Sequence, residues 1–251
     1  MKVYYQMNDK FLIEERFNKS LSTYKDNAIV QNYMAKKLLN MIERKKYCDV
    51  FEFGCGCGLL TEKFFKNFQC ETYLTNDIVQ NCSEYLYKIS PKIEFNCCDI
   101  EKMKLDRNFD LIISNATFQW LQNPKITVEN FITHLKPNGT LAFTTFGINN
   151  FKELKKLGYG INYLKIKDLE NLFTYYKKNL IIKEEIKTLY FKTPYDVLKH
   201  IKFSGVNAVN KISLTKSKLN AFFSDYIKYF KSNDDNFVTL TYHPIYIIFQ
   251  M

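Results

Sequence analysis

The sequence predicts an α/β fold built on a mostly parallel, Rossmann-like sheet. Apolar runs that read as strands alternate with segments of helical periodicity between residues 49 and 146. That alternation calls for parallel strands joined by right-handed crossovers. Glycine or polar residues stand at the ends of four of those runs, at Gly54–Gly58, Asp77, Asp99 and Asn115. In such sheets ligands bind at the carboxyl ends of the strands. Four features in register there read as a site.

The elements follow in order. Residues 10–45 read as helical, with Ile29, Val30, Tyr33, Met34, Leu38, Met41 and Ile42 at helical spacing between Asn27 and Ile42. Asp49–Phe53 is a strand, followed by the glycine loop and a helix from Leu59 to about Asn67. Glu71–Asp77 is a second strand and Val79–Ile89 a helix broken by Pro91. Ile93–Cys97 and Phe109–Asn115 are the next strands. Thr127–Leu135 is a helix that Lys136-Pro137-Asn138-Gly139 would stop, and Leu141–Phe146 is a fifth strand. Beyond Phe146 the rhythm changes. Lys167–Asn179 reads as helix, Leu180–Phe191 as strand, Pro194–Ile201 and Leu214–Phe230 as helices, and Asn236–Phe249 as one last strand. One domain over residues 1–251 is expected, with a helical cap over 1–45 and a helical insertion over 194–231.

The segment Glu52-Phe53-Gly54-Cys55-Gly56-Cys57-Gly58 is the most telling. Glycine lets the chain turn tightly and lets a ligand reach bare backbone. The helix start behind it offers unpaired N–H groups and a partial positive charge. The dinucleotide pattern needs a third glycine where Leu59 stands, and no Gly-Lys-Ser/Thr follows, so neither a dinucleotide nor a P-loop site is indicated. Asp77 lies 19 residues after Gly58, where an acid can accept bonds from two ribose hydroxyls. Asp77 and Asp99 taken singly also read as solvated turn acids or helix caps.

Bulk properties narrow the classes. The 251 residues are 46% hydrophobic and carry a formal net charge of +10. A basic face suits an acidic partner. The joint richness in Lys, Asn, Ile, Tyr and Phe also reads as codon bias, and no block of five like charges suggests a nucleic-acid tail. The seven cysteines fall between Cys48 and Cys98, which points to reduced thiols. Cys55, Cys57, Cys97 and Cys98 match zinc spacing poorly, and no metal is expected. Residues 1–17 lack the apolar core of a secretory signal, and no apolar run approaches a membrane span, so a cytoplasmic protein away from membranes is expected.

Glu52-x-Gly54-x-Gly56-x-Gly58 resembles motif I of the class I S-adenosylmethionine (SAM) methyltransferases. That resemblance implies SAM as cosubstrate, a final antiparallel pair of strands, and inserted helices that form a substrate lid. It implies that Glu52, Gly54, Cys55, Gly56 and Gly58 form the loop for the amino-acid end of SAM. Asp77 with Ile78 would face the ribose, Asp99 with Ile100 the adenine, and Asn115 completes the set. More narrowly, Arg16-Phe17 through Tyr24 to Gln31 looks like the opening of the malonyl-acyl-carrier-protein O-methyltransferases of biotin synthesis. The likeness recurs at Ile113–Trp120, at Thr144–Leu154, at Leu198–Ala208 and at Leu240–His243. The cysteines in motif I depart from the commoner Gly-Thr-Gly.

This family likeness implies methylation of the free carboxylate of a malonyl group on an acidic acyl carrier protein, or on CoA. A carboxylate is already ionised at neutral pH, so no strong general base is required. Tyr24 could donate a hydrogen bond to it. Arg16, Lys19, Lys199, His200 and Lys202 could pair with it or with the phosphopantetheine phosphate. Three other readings compete. A small-acid methyltransferase of the trans-aconitate type shares motif I and the Asn115–Trp120 segment. A SAM-binding module without turnover would share the same SAM motifs. A nucleic-acid amino-methyltransferase should show Asn/Asp-Pro-Pro-Tyr/Phe where this chain has Ser114-Asn115-Ala116-Thr117, and no nucleic-acid partner is expected.

Overall fold

The structure is a computed structural model that describes residues 9–176, 179–205, 215–232 and 236–251. The first eight residues of the expected cap and residues 206–214 of the expected insertion, with the likeness at Val206-Asn207-Ala208, lie outside the described residues. So do 177–178 and 233–235.

Two helices open the chain, α1 (Lys10–Asn27) and α2 (Ile29–Asn40). Asp9 caps α1 by accepting from Leu12 N at 3.2 Å. A first series of strands and helices follows: β1 (Lys46–Phe53), α3 (Leu59–Asn67), β2 (Gln69–Asp77), the single turn α4 (Ser83–Leu86), β3 (Ile93–Cys97) and β4 (Phe109–Ser114). Then come α5 (Pro124–Thr133), β5 (Leu135–Phe146), α6 (Lys152–Lys156) and α7 (Ile166–Asn171). The chain closes with β6 (Leu180–Glu184), β7 (Lys187–Phe191), α8 (Pro194–Phe203), α9 (Lys216–Phe230), β8 (Val238–Tyr242) and β9 (Pro244–Gln250).

Seven strands form one sheet in the order β3-β2-β1-β4-β5-β9-β6. Only β9 runs against its neighbours in that sheet. Side chains alternate between two cores, as the period of two requires. Val50, Ala142, Tyr246 and Ile248 pack with Met34, Leu38 and Phe64 on one face. Phe51, Phe53, Phe143, Ile247 and Phe249 pack with Val128, Phe131 and Leu169 on the other.

Several expectations are corrected. Lys136-Pro137-Asn138-Gly139 does not stop the preceding helix; α5 already ends at Thr133, and these residues belong to the start of β5. The register against β4 shifts between Phe109 and Leu111, and Asn138 adopts φ +61°. The turn-forming residues make a bulge rather than a stop. The helix expected over 79–89 shrinks to a 3₁₀ turn at Gln80–Cys82 and α4, and that over 167–179 to α7.

Leu180–Phe191 and Asn236–Phe249, each expected as one strand, both break in two. β6 pairs with β9 in the main sheet, and β7 pairs with β8 in a separate two-stranded sheet. The break falls at Glu185-Ile186 opposite His243-Pro244, where Pro244 has no N–H for the ladder. The outer sheet carries α8 and α9 between its strands. Thr193 and Asp196 form a capping box that brackets Pro194 at the start of α8. On α9, Tyr226 donates to Thr239 O at 2.7 Å.

A buried polar network ties this outer part to the main sheet. Glu153, fully buried, accepts from Thr241 N at 2.9 Å and from Thr241 Oγ1 at 2.6 Å. His243 N donates to Asn150 Oδ1 at 3.1 Å. His243 Nδ1 accepts from Asn149 N at 3.2 Å, which puts the ring proton on Nε2, 2.6 Å from Glu184 Oε2. Two of the segments that carry the family likeness, Thr144–Leu154 and Leu240–His243, are thus each other's partners.

Candidate active site

A cleft opens at the carboxyl ends of β1, β2 and β4. Its floor is the motif I loop. Gly54, Gly56 and Gly58 all have positive φ, at +63°, +54° and +77°. This is the left-handed region that residues with a Cβ avoid, which explains why glycine alternates here. A Cβ on Gly54 would lie 2.2 Å from Thr117 Cγ2, and one on Gly56 would lie 3.0 Å from Phe17 Cζ.

The acids hold the loop in place. Asp77, 7% exposed, accepts from Gly56 N at 2.8 Å on one oxygen and from Val79 N at 3.0 Å on the other. Burial raises the Asp77 pKa against these bonds. Glu52, 1% exposed, accepts from Thr61 Oγ1 and Tyr73 OH, both at 2.6 Å and both on Oε2. Burial pushes its pKa up to about 7.

The far end of the cleft is lined by Asp99, Ile100, Trp120 and Leu121. Asp99 Oδ1 accepts from Lys10 Nζ and from Glu101 N, both at 3.1 Å. Lys10 also reaches Glu101 Oε2 at 2.7 Å. Glu101 in turn accepts from the backbone N–H groups of Gln122 and Asn123. The start of α1 is thus tied to the loops after β3 and β4.

Asn115 lines the cleft, but its side chain serves the scaffold. Nδ2 donates to Gln31 O at 3.1 Å, and Oδ1 accepts from Thr144 Oγ1 at 2.8 Å. Thr144 Oγ1 also accepts from Ala116 N at 2.9 Å. Ala116 is held at φ +55°, a strained value for alanine.

The roof is α1 together with Gly205, which follows α8. Lys10, Ile13, Arg16, Phe17 and Tyr24 reach the cleft from α1. Phe17 and Tyr24 meet edge to face with centroids 5.2 Å apart. Burial, then the nearby Cys57, Tyr242 and Asp77, raise the Tyr24 pKa well above the usual phenol range. The hydroxyl stays protonated and is a donor, and no described residue bonds it.

The structure thus brings Tyr24, Glu52, Gly54, Cys55, Gly56, Asp77, Ile78, Asp99, Ile100 and Asn115 to one cleft. Gly58 stands just behind it as the N-cap of α3. It does not bring Lys199, His200 or Lys202 there. Lys199 and Lys202 are exposed on α8. His200 is buried with its Nε2 2.7 Å from Tyr242 OH, and burial lowers its pKa to about 4. On an amphipathic helix an i, i+3 pair shares the outer face while the residue between turns inward. Sequence reasoning missed Lys10 and Thr117. Lys10 carries no local signal because its partner Asp99 lies 89 residues away.

The residue set fits SAM. Asp77 and Asp99 line the cleft together with the part-protonated Glu52 and with Lys10 and Arg16. Carboxylate acceptors after β2 and β3, beside bare glycine backbone, suit the hydroxyl and amino groups of a nucleoside.

The comparisons agree with this geometry. A family model described as a methyltransferase domain matches residues 51–143. The malonyl-acyl-carrier-protein O-methyltransferase of Calditerrivibrio nitroreducens is 36% identical over 239 residues, covering 94% of each chain. The chain belongs to the malonyl-acyl-carrier-protein O-methyltransferase family. Another member, from Haemophilus influenzae, is 34% identical over 96% of this chain and 94% of its own. Among solved structures, the N-methyltransferase NodS of Bradyrhizobium japonicum shares the fold. It has a TM-score of 0.53 at 13% identity and covers 95% of this chain and 97% of its own. As a member of this family the protein is a SAM-dependent O-methyltransferase of the class I fold, with SAM as cosubstrate. Among the described residues no helix is long and apolar enough to cross a membrane, and no group of three or more His, Cys, Asp or Glu could hold a metal.

Proposed function

We propose that this protein methylates the free carboxylate of malonyl-acyl carrier protein, giving the methyl ester that opens pimeloyl synthesis for biotin in the cytoplasm. The observation that carries this reading is the match to the Calditerrivibrio nitroreducens relative over 94% of both chains.

Bound SAM supplies an electrophilic methyl group on a positively charged sulfur. Gly54, Cys55, Gly56 and Gly58 with Glu52 would hold its amino-acid end. Asp77 and Ile78 would hold the ribose, Asp99 and Ile100 the adenine, and Asn115 would shape the wall between them. The acceptor carboxylate needs no deprotonation, so the protein's task is alignment and exclusion of water. Tyr24 offers the acceptor a neutral hydrogen-bond donor, and Arg16 a cation beside it. Phe17 and Trp120 keep water out.

The test is incubation of the purified protein and SAM with malonyl-acyl carrier protein, malonyl-CoA and trans-aconitate, read by mass spectrometry. Methyl ester on malonyl-acyl carrier protein is expected. Ester on trans-aconitate alone would replace this reading with the small-acid one. No ester on any substrate, with SAM bound, would make the protein a non-catalytic SAM binder.

A further inference from the structure

A second depression lies beside the cleft, between the end of α1, α3 and the segment around α4. Lys25, Lys66, Lys88, Glu62, Phe65 and Tyr85 line it. Among the described residues that line it the one carboxylate is Glu62, which is already paired on both sides, with Lys25 at 2.5 Å and Lys66 at 2.7 Å. Lys88 Nζ lies 5.6 Å from the Tyr85 ring centroid. Lys63, on the same helix as Lys66, has its pKa lowered by burial and further by Lys66, Lys25 and Lys36, although Glu62 opposes this. Positive charge accumulates on this face, from Lys25, Lys66 and Lys88 in the lining with Lys36 and Lys63 nearby.

The depression and the cleft share a wall. Tyr24 lines the cleft and Lys25 the depression; Gly56 lines the cleft and Cys57 the depression. Whatever sits on the lysines is therefore one residue from the cleft along both α1 and motif I. The aromatic rim of Phe65 and Tyr85 offers apolar area beside the charges, the mixture that interfaces favour.

We propose that this lysine-lined depression is where the acidic carrier protein docks, an inference that rests on the malonyl-carrier-protein reading above. The carrier's carboxylates replace solvent around Lys25, Lys66 and Lys88. Its phosphopantetheine arm then crosses α1 near Tyr24 into the cleft. Charge complementarity of this kind acts mostly on encounter and orientation, so it shows in KM rather than in kcat.

The experiment compares methyl transfer to malonyl-acyl carrier protein and to malonyl-pantetheine, which has no protein to dock. The proteins are the parent, the double variants Lys66→Glu/Lys88→Glu and Lys66→Ala/Lys88→Ala, and Lys125→Glu as a control on α5. Thermal melting and SAM affinity confirm that each variant is folded. KM for malonyl-acyl carrier protein should rise about tenfold in the reversal variant and less in the alanine variant. Malonyl-pantetheine kinetics should stay unchanged, and Lys125→Glu should match the parent. An unchanged KM for the carrier protein in folded variants overturns the docking site while the substrate reading stands. A parent that methylates neither malonyl substrate overturns both. Equal losses on both substrates assign the lysines to the cleft rather than to docking, and overturn the proposal.

Discussion

On the floor of the cleft, Asp77 is locked by backbone N–H groups of its own loop and of motif I, at 2.8 and 3.0 Å. In the roof, α1 is held at one end by the Lys10 ammonium on Asp99 and Glu101. Near its other end it is held by Lys25 on Glu62 and by Thr23 Oγ1 on Phe203 O. The polar bonds of the floor are buried, between loops that follow β1 and β2, whereas the polar ties of the roof lie nearer the surface. Partly exposed ion pairs contribute about 1 kcal/mol or less each, whereas an unpaired buried acceptor costs more. The floor is therefore preorganised by buried bonds, while the polar ties of the roof contribute little each and its apolar face, with Leu21 in the core, carries the rest.

The largest break in that comparison comes from a glycine pair. Gly54→Ala combines φ +63° with a Cβ 2.2 Å from Thr117. SAM affinity should fall about 100-fold or more by calorimetry, from backbone strain and overpacking together. Gly158 has φ +84° but open space where its Cβ would stand. Gly158→Ala should cost about 1 kcal/mol of stability and leave SAM affinity unchanged. Similar SAM losses in both variants would show that strain alone, and not the packed floor, is at stake.

Glu52 tests the floor through pH. Its pKa rises from 4.5 to about 7 in the folded state, so the native protein binds the proton more tightly than the unfolded chain. The stability this brings is complete below pH 4.5 and is lost as pH climbs to about 7, about 3 kcal/mol in all. Glu52→Gln keeps an acceptor for Thr61 and Tyr73 but cannot titrate. Denaturant unfolding at several pH values should show a flatter profile for the variant over that window. Parallel profiles for the two proteins would mean that Glu52 is ionised in the fold.

Tyr24 sharpens the comparison from the roof. Tyr24→Phe removes a hydroxyl and keeps the ring that meets Phe17. A hydrogen bond to a charged group is worth about 1.5–3 kcal/mol, so kcat/KM for the malonyl substrate should fall at least about tenfold. SAM affinity should not move. Full activity in the phenylalanine variant would pass the acceptor role to Arg16. Loss of SAM binding would move Tyr24 to the cofactor side.

The smallest effect is expected at the tie that closes the roof. Lys10→Ala should speed SAM dissociation in stopped flow by only a few-fold, about 1 kcal/mol or less, and that dissociation should lose its dependence on salt. A hundredfold change would mean that α1 is as firmly built into the site as the floor.

The floor was largely legible in the chain, because the physics that shapes it is local. Alternate glycines after an apolar strand report left-handed turns, and acids at the ends of the next two strands report where the sheet binds ligands. The helix and strand limits that failed did so where tertiary pairing chose among local options. Lys136–Gly139 has the residues of a helix stop, yet β4 recruits it as a bulge. Leu180–Phe191 has the pattern of one strand, yet Pro244 in its partner splits it between two sheets.

The acceptor side was legible only as a likeness between segments, and Lys199, His200 and Lys202 show why. Their charge and spacing suit a binding role, but which face of α8 turns to the cleft depends on how the β7–β8 sheet sits against the rest. Glu153, Asn150 and His243 set that seating through bonds between residues about 90 apart. By itself the sequence determined a mostly parallel, nucleoside-binding sheet and the residues at its strand ends, since those follow from turn chemistry and periodicity. Only the tertiary structure decided that α1 is the roof, that Asn115 serves the scaffold, and that the lysines beside Cys57 gather on one face. Those depend on long-range contacts and on burial, which no local pattern encodes.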